Sequence, residues 1–391
     1  MAERAVDPVT GEARWVVADG ATLELHLEAA AFIASLRSRG LSPNTERAYA
    51  GRIALYLNHC AQRRLDWRAP SFLSLSGFQR WLVTEPLPAR GRIPRRGRPV
   101  FRSQNTANAV MTALTTFLRF CIANGWVASR VTGLLSQSKY LVHVPAGYDT
   151  GEGDQFRTVD AAAFRFKITE PGYEDLTADQ ITHMIGIAAR ARDRFLIALL
   201  ACTGVRIGEA LGLRRQDMHL LASSRALGCT TDGPHIHIHR RTDNPNRALA
   251  KARKPRTIPV TADLTALYTD YRYERDAVPE ATDGDMVFVN LFRPPLGRAM
   301  SYPNTKDMFD RLARAACHPA RPHMLRHSAA TTWLRDGVDR DVVQYLLGHV
   351  SPLSMERYRN PRELHQTGDK PQVAWSRREA AGLRSPYKLA V

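Results

Sequence analysis

The chain has 391 residues, of which 44% are hydrophobic and 24% charged, ordinary values for a folded protein of two domains or more. Fifty-five Lys and Arg against thirty-eight Asp and Glu give a formal net charge of +17, which points to a polyanionic partner, either nucleic acid or an anionic membrane surface. The most apolar helical run, Phe195 to Cys202, is far shorter than the roughly 20 residues that span a bilayer, so the membrane reading is set aside.

Residues 1–20 read as a loose N-terminal tail. Met1-Ala2-Glu3-Arg4 carries an acid and has no apolar core, so no secretory signal is expected there. A helix is predicted from about Ala21 to Arg39, with Leu23, Leu25, Leu27, Phe32, Ile33 and Leu36 as its apolar positions and Gly40 as its stop. Ser42-Pro43 opens a second helix, Ser as N-cap and Pro at the first helical position. A third is predicted over about Leu75 to Thr84 and a fourth over about Asn105 to Asn124, making a four-helix unit over 21–142. Between the last two lie six arginines within Arg90 to Arg102 and no acid; this basic loop is either solvated or in contact with phosphate. Residues 143–176 are rich in Gly, Pro and acids and read as an interdomain linker that avoids nucleic acid.

Thr177-Ala178-Asp179-Gln180 has the form of a capping box, and helix is predicted from there through Ala201, stopping at Gly204. A short helix follows at about Arg206 to Leu211. His235-Ile236-His237-Ile238-His239 alternates as a strand, with Thr257 to Val260 as its partner and Asn244-Pro245-Asn246 as the turn between them. The remainder reads mostly as helix, including Ser328 to Arg335 and Arg340 to Leu347. The expected fold class is therefore mainly α with a small antiparallel sheet.

The five cysteines are scattered and form no C-x-x-C, so neither a disulfide framework nor a cysteine zinc site is expected, and the compartment is a reducing cytoplasm. His235, His237 and His239 share one strand face, but the sequence offers no carboxylate or cysteine set beside them, so no metal is expected. Arg206 and Glu209 stand three apart at a helix start, where the plain reading is a surface ion pair worth a few tenths of a kcal/mol. His323 and Arg326 stand three apart on one helix face. His349 follows a helix-ending Gly348, and Tyr358 comes nine residues later.

Taken in order, Thr203-Gly204-Val205-Arg206-Ile207-Gly208-Glu209, the basic hairpin Lys251 to Val260, His323-Met324-Leu325-Arg326-His327, Leu347-Gly348-His349 and Tyr358 resemble the tyrosine recombinase (phage integrase) family. Leu41-Ser42-Pro43-Asn44-Thr45 with Tyr49 also resembles the start of that family's helical core-binding domain. Lys251 has alanines on both sides where the family often has glycines, so Lys251 and Lys254 both remain candidates for the hairpin lysine.

The resemblance implies a two-domain, C-shaped clamp. A SAM-like core-binding domain occupies 21–142, the linker 143–176, and a mixed α/β catalytic domain 177–360. The C-terminal tail 361–391, with Val373, Trp375, Leu383 and Leu389, is available for exchange between subunits. It implies site-specific cleavage and rejoining of double-stranded DNA by a homotetramer, through a 3′-phosphotyrosyl intermediate and a Holliday junction, for a mobile element acting on nucleoid DNA. A type IB topoisomerase-like strand transferase is the alternative. A DNA-binding regulator without catalysis is disfavoured, because all six motif residues are present.

The implied roles follow the chemistry. Arg206 and Arg326 clamp the non-bridging oxygens of one phosphate, a task suited to a planar, permanently charged group with paired donors. His323 and His349 add donors, and Tyr358 is the nucleophile with His323 as candidate base. Lys251 is the general acid for the leaving 5′-oxygen, and Glu209 orients Arg206. These groups substitute for a metal ion, so no cofactor is implied. DNA contacts are expected from Thr45, Arg47, Thr106 and Asn108 at helix starts, and from Arg95 and Arg96 in the basic loop. Accessory proteins and the target site are left open.

Overall fold

The computed structural model describes residues 1–88, 99–144, 148–168, 174–252 and 254–348. The chain divides into two compact units, Met1–Glu170 and Pro171–Val391.

The first unit opens on a hairpin rather than a tail. Strands β1 (Ala2–Val6) and β2 (Ala13–Val17) pair antiparallel, with Ala2 opposite Val17 and Val6 opposite Ala13. Asp7 Oδ1 closes the turn by accepting from the Val9 and Thr10 amides at 2.8 and 3.2 Å. Strands of five residues carry little periodic signal, and this pair is held by packing: Val17 is buried with the helices, and β2 lies against the second helix.

Helix α1 (Leu27–Ser38) begins six residues later than expected, because His26 caps it by accepting from the Ala29 amide. Leu23, Leu25 and Leu27 are consequently exposed, whereas Phe32, Ile33 and Leu36 face the core. Helix α2 (Pro43–Gln62) starts as expected, with Ser42 accepting from the Thr45 amide. Helices α3 (Phe72–Thr84) and α4 (Gln104–Ala123) complete the four long helices of this unit among the described residues. By length and composition α4 could cross a membrane, contrary to the sequence expectation. Its apolar side chains Val110, Leu114, Phe117, Leu118 and Cys121 are instead buried in the unit's core.

The expected linker is in large part a piece of the same unit. After a one-turn helix α5 (Thr132–Leu135), strand β3 (Ser136–Tyr140) pairs antiparallel with β4 (Thr158–Ala162). Phe164 enters the core, and Asn108 of α4 both donates to the Phe166 carbonyl at 3.0 Å and accepts from its amide at 2.8 Å. Asp149, Glu152, Asp154 and Asp160, four of the acids that suggested a linker, lie on exposed positions of these turns and strands.

The second unit is built round α7. Thr177 forms the expected capping box on α6 (Ala178–Ile187), but the predicted single helix breaks there. Helix α7 (Ala191–Thr203) has a separate start, because Glu274 accepts from the Ala191 and Arg192 amides at 3.1 and 2.8 Å. That cap comes from eighty residues downstream and leaves no local trace. Phe195 to Ala201 are buried without interruption, as in a helix enclosed on all sides. Each such large side chain contributes about 1.5–3 kcal/mol relative to exposure.

After α8 (Ile207–Ala210), strands β5 (Met218–His219), β6 (His235–Ile238) and β7 (Arg256–Pro259) form one antiparallel sheet in the order β5-β6-β7. The predicted pairing of the histidine strand is thus observed, with His235 opposite Pro259 and Ile238 opposite Arg256. Ile236, Ile238 and Ile258 face the core. Helices α9 (Ala262–Asp276), α10 (Pro279–Thr282), α11 (Tyr302–Ala315), α12 (Pro322–Arg335) and α13 (Arg340–Leu347) follow among the described residues, with α9 and α12 packed on α7.

Candidate active site

The site forms where α7 ends, α12 begins and α13 stops. Gly204 terminates α7 with φ +60°, a left-handed conformation that disfavours any side chain. A Cβ at this position would lie 2.9 Å from Leu347 Cδ2 and 3.3 Å from Trp333 and Ala329, so glycine also lets α12 and α13 close on the corner. This closure delivers Arg326, on α12 and 1% exposed, to the turn. Its Nη1 donates to the Gly204 carbonyl at 2.6 Å and its Nη2 to the Leu347 carbonyl at 2.7 Å.

Arg206 is the residue before α8. Its Nη1 donates at 3.3 Å to the same Leu347 carbonyl. The two arginines, 120 positions apart in sequence, therefore converge on one acceptor oxygen, two residues before His349. Arg206 keeps 23% of its side chain exposed, so an anion can reach it from solvent.

Glu209 lies beneath this pair with no side-chain exposure. It accepts from the Arg206 amide at 2.9 Å and from Arg206 Nη1 at 3.4 Å, so the expected orienting contact is present but is not a surface pair. Its stronger partner was missed in the sequence. Arg256 of β7 donates to both Glu209 oxygens, at 2.7 and 3.3 Å, and its Nε donates to the Leu346 carbonyl at 2.9 Å. Burial pushes the Glu209 carboxyl up. The Arg256 hydrogen bond and charge, then the Arg206 contacts, more than offset this and hold it below the ordinary value of 4.5. The signal was available: Arg256 alternates with Ile258 on the strand face that enters the core, where a charge needs a buried partner.

Gly348 caps α13 at φ +63°, and a Cβ there would stand 2.9 Å from Arg256 Nη1 and 3.2 Å from the Ala252 side chain. The lysine hairpin thus lies against the turn that leads to His349. Lys251 and Lys254 are both exposed, and neither is singled out. His323 is exposed at the start of α12, its ring 4.5 Å from that of His327 and near-perpendicular to it. His349 and Tyr358 lie outside the described residues, as do Arg95 and Arg96.

Of the expected DNA contacts in the first unit, Thr45 and Thr106 share hydroxyl hydrogen bonds with the capping Ser42 and Ser103. Arg47 is exposed over the Trp15 ring. Asn108 holds the Phe166 backbone through its side-chain amide and so fastens 163–166 to α4.

The reason for expecting no metal also fails. His219 on β5 stands directly opposite His235, and the loop between β5 and β6 brings Cys229 to 3.3 and 3.5 Å from His235 and His237. The missing cysteine and a further histidine are supplied by pairing and by the loop.

The phage integrase family profile matches residues 174–365, a range that runs from before α6 through Tyr358. Residues 174–365 form a phage integrase family domain. Transposase A from transposon Tn554 of Staphylococcus aureus (strain N315) is 29% identical over 325 residues, 81% of this chain and 82% of that protein. Tyrosine recombinase XerD of Lacticaseibacillus casei is 26% identical over 245 residues, 62% of this chain and 68% of that protein. Two solved structures share the fold at 17% identity. The Tn1549 transposon integrase in complex with circular intermediate DNA has a TM-score of 0.53 and covers 89% of this chain and 98% of that one. A lambda integrase dimer bound to a core site has a TM-score of 0.52 and covers 88% and 99%. In this domain the two motif arginines meet at one carbonyl, and Arg256 with Glu209 supports them from below.

Proposed function

We propose that the protein is a tyrosine-type, site-specific DNA recombinase that integrates or transposes a mobile element. The observation that carries this reading is the convergence of Arg206 and Arg326 on the Leu347 carbonyl. Two permanently charged groups held on one acceptor are suited to hold the non-bridging oxygens of a phosphodiester, whose charge grows in the pentacoordinate transition state. One preorganised donor of this kind is typically worth about 3 kcal/mol, or roughly 100-fold or more in rate.

In the proposed reaction the Tyr358 hydroxyl attacks the scissile phosphorus and gives up its proton, with His323 as the candidate acceptor. The bond to the 5′-oxygen breaks, and Lys251 or Lys254 protonates that oxygen. A 3′-phosphotyrosyl ester remains, and the 5′-hydroxyl of a second DNA end reverses the step. One ester is exchanged for another, so no ATP is needed. His349 contributes a further donor. Arg256 and Glu209 are positioning residues, since they hold Arg206 and the Leu346–Leu347 turn rather than substrate.

Both units engage the duplex in this proposal, as the C-shaped clamp that the resemblance implies. Four subunits exchange strands in pairs through a Holliday junction, with 361–391 docking on a neighbour, and the work is done on nucleoid DNA in the cytoplasm. The +17 charge and the relatives named as transposase and recombinase support a DNA substrate. The topoisomerase alternative is not favoured by these relatives.

A suicide substrate, nicked so that the cleaved end diffuses away, tests the chemistry. The expected result is a covalent protein–DNA adduct at a defined 3′-phosphate, lost in Tyr358→Phe with DNA binding retained. A Tyr358→Phe protein that still forms the adduct overturns the assignment.

A further inference from the structure

We propose that His219, Cys229, His235 and His237 form a closed, four-coordinate site for a single zinc-class divalent cation. It lies on the face of the β5-β6-β7 sheet opposite the hydrophobic core. The proposal is independent of the recombinase reading.

The sheet register builds the site. His235 and His237 alternate on β6 and so share a face, and His219 on β5 pairs directly with His235. Ile236, Ile238 and Ile258 occupy the other face, in the core. Cys229 arrives from the loop joining β5 and β6. Its Sγ is 3.3 Å from His235 Nε2 and 3.5 Å from His237 Nε2, and the two Nε2 atoms are 3.1 Å apart. One ligand atom from each of the four residues falls within 4.8 Å of all the others. Tetrahedral zinc with metal–nitrogen bonds of about 2.0–2.1 Å and metal–sulfur bonds of about 2.3 Å places its ligand atoms roughly 3.3–3.6 Å apart. The cluster is therefore close to that geometry already.

The second nitrogen of each imidazole is engaged in the manner that orients metal ligands. His235 Nδ1 lies 2.7 Å from the Gly233 carbonyl, which can only accept, so Nδ1 carries the proton and Nε2 presents a lone pair. His219 Nε2 bonds the Gln216 carbonyl at 3.1 Å in the same sense. Its Nδ1 is left as a lone pair on a residue only 8% exposed, with no hydrogen-bond partner among the described residues. His237 Nδ1 lies 3.2 Å from the Thr257 hydroxyl. The His235 Nε2 lone pair thus faces His237 Nε2 and the Cys229 sulfur, and a cation among the four residues would satisfy them together. On binding, the Cys229 thiol gives its proton to solvent and ligates as thiolate.

One thiolate and three imidazoles suit zinc, and four protein ligands leave no open position, so the role is structural. The cation would fasten the loop over 220–234 to the sheet and brace β7 through Thr257. The adjacent residue on that strand, Arg256, points to the other face and holds Glu209.

The test is Co2+ titration of the full-length, chelator-treated protein, read by absorbance. One equivalent should give the visible bands of tetrahedral Co2+ and a thiolate charge-transfer band, both erased by Zn2+. Cys229→Ser should abolish the charge-transfer band. Thr257→Val, which touches only the outer nitrogen of His237, should weaken Co2+ binding by about 10–100-fold. His239→Gln should bind as wild type, since His239 is exposed and outside the four. If folded wild-type protein takes up no Co2+, or binds it with octahedral bands and no thiolate band, the site does not exist and the cluster is held by shared protons. Titration of the wild type decides this even if a variant fails to fold.

Discussion

Replacing Arg256 by glutamine should destabilise the second unit and weaken catalysis together. The variant loses two hydrogen bonds to Glu209 and one to the Leu346 carbonyl, while Glu209 stays fully buried. Removing one partner of a buried ion pair costs about 3–5 kcal/mol, because the remaining charge is left in a poor medium. Glu209 keeps the Arg206 amide at 2.9 Å and its guanidinium at 3.4 Å, so the lower end, about 3 kcal/mol, applies. A domain of this size shifts by about 2–4 °C per kcal/mol, which gives a fall in Tm of roughly 6–12 °C by calorimetry. The pH dependence has a definite sign. The folded Glu209 carboxyl sits below its ordinary value of 4.5, so the stabilisation is complete above that value and is lost as pH falls through the folded one. Without Arg256, burial dominates and the folded carboxyl rises. The gap in Tm between wild type and variant should thus be widest at neutral pH, begin to narrow as pH falls through the variant's raised carboxyl value, and close further until the wild-type carboxyl, below 4.5, is also protonated. Suicide-substrate cleavage should drop by about 100-fold, since the Leu347 carbonyl shared by both motif arginines loses its brace. A Tm within one or two degrees of wild type at neutral pH, or a gap that grows in acid, refutes the buried-pair reasoning.

Asn108→Ala should cost the first unit about 1–3 kcal/mol in urea unfolding and leave DNA affinity unchanged at matched folded fraction; weaker DNA binding with full stability would restore a direct contact. Gly348→Ala forces a Cβ to 2.9 Å from Arg256 Nη1 at a φ of +63°, and should destabilise by about 1–3 kcal/mol while slowing cleavage, measured by unfolding and by adduct formation. Arg95→Ala with Arg96→Ala should lower the slope of log Kobs against log salt by about 2 if both side chains meet phosphate, and leave it unchanged if the loop is only solvated.

Local chemistry was legible wherever it is decided by near neighbours. Ser42-Pro43 starts α2, Thr177 with Gln180 starts α6, and the alternating histidine strand pairs with the segment before Val260, because caps and alternation act within a few residues. The order of Arg206, Lys251, His323, Arg326, His349 and Tyr358 pointed to the phage integrase family without any coordinates, since chain order and spacing are what motifs record. Tertiary contacts decided the rest. Helix α7 starts at Ala191 because Glu274 caps it from α9, and the polar strands of the first unit exist only because a partner lies beside them. Arg256, which looked like one more basic hairpin residue, became the counterion of Glu209 once β7 turned it inward. His219 and Cys229 lie sixteen and six residues before His235, at no regular spacing, and only strand pairing and loop closure bring them to the same few ångströms. A residue's charge and its neighbours in sequence set what it can do; the low dielectric and the long-range register of the folded chain set which partner it does it with.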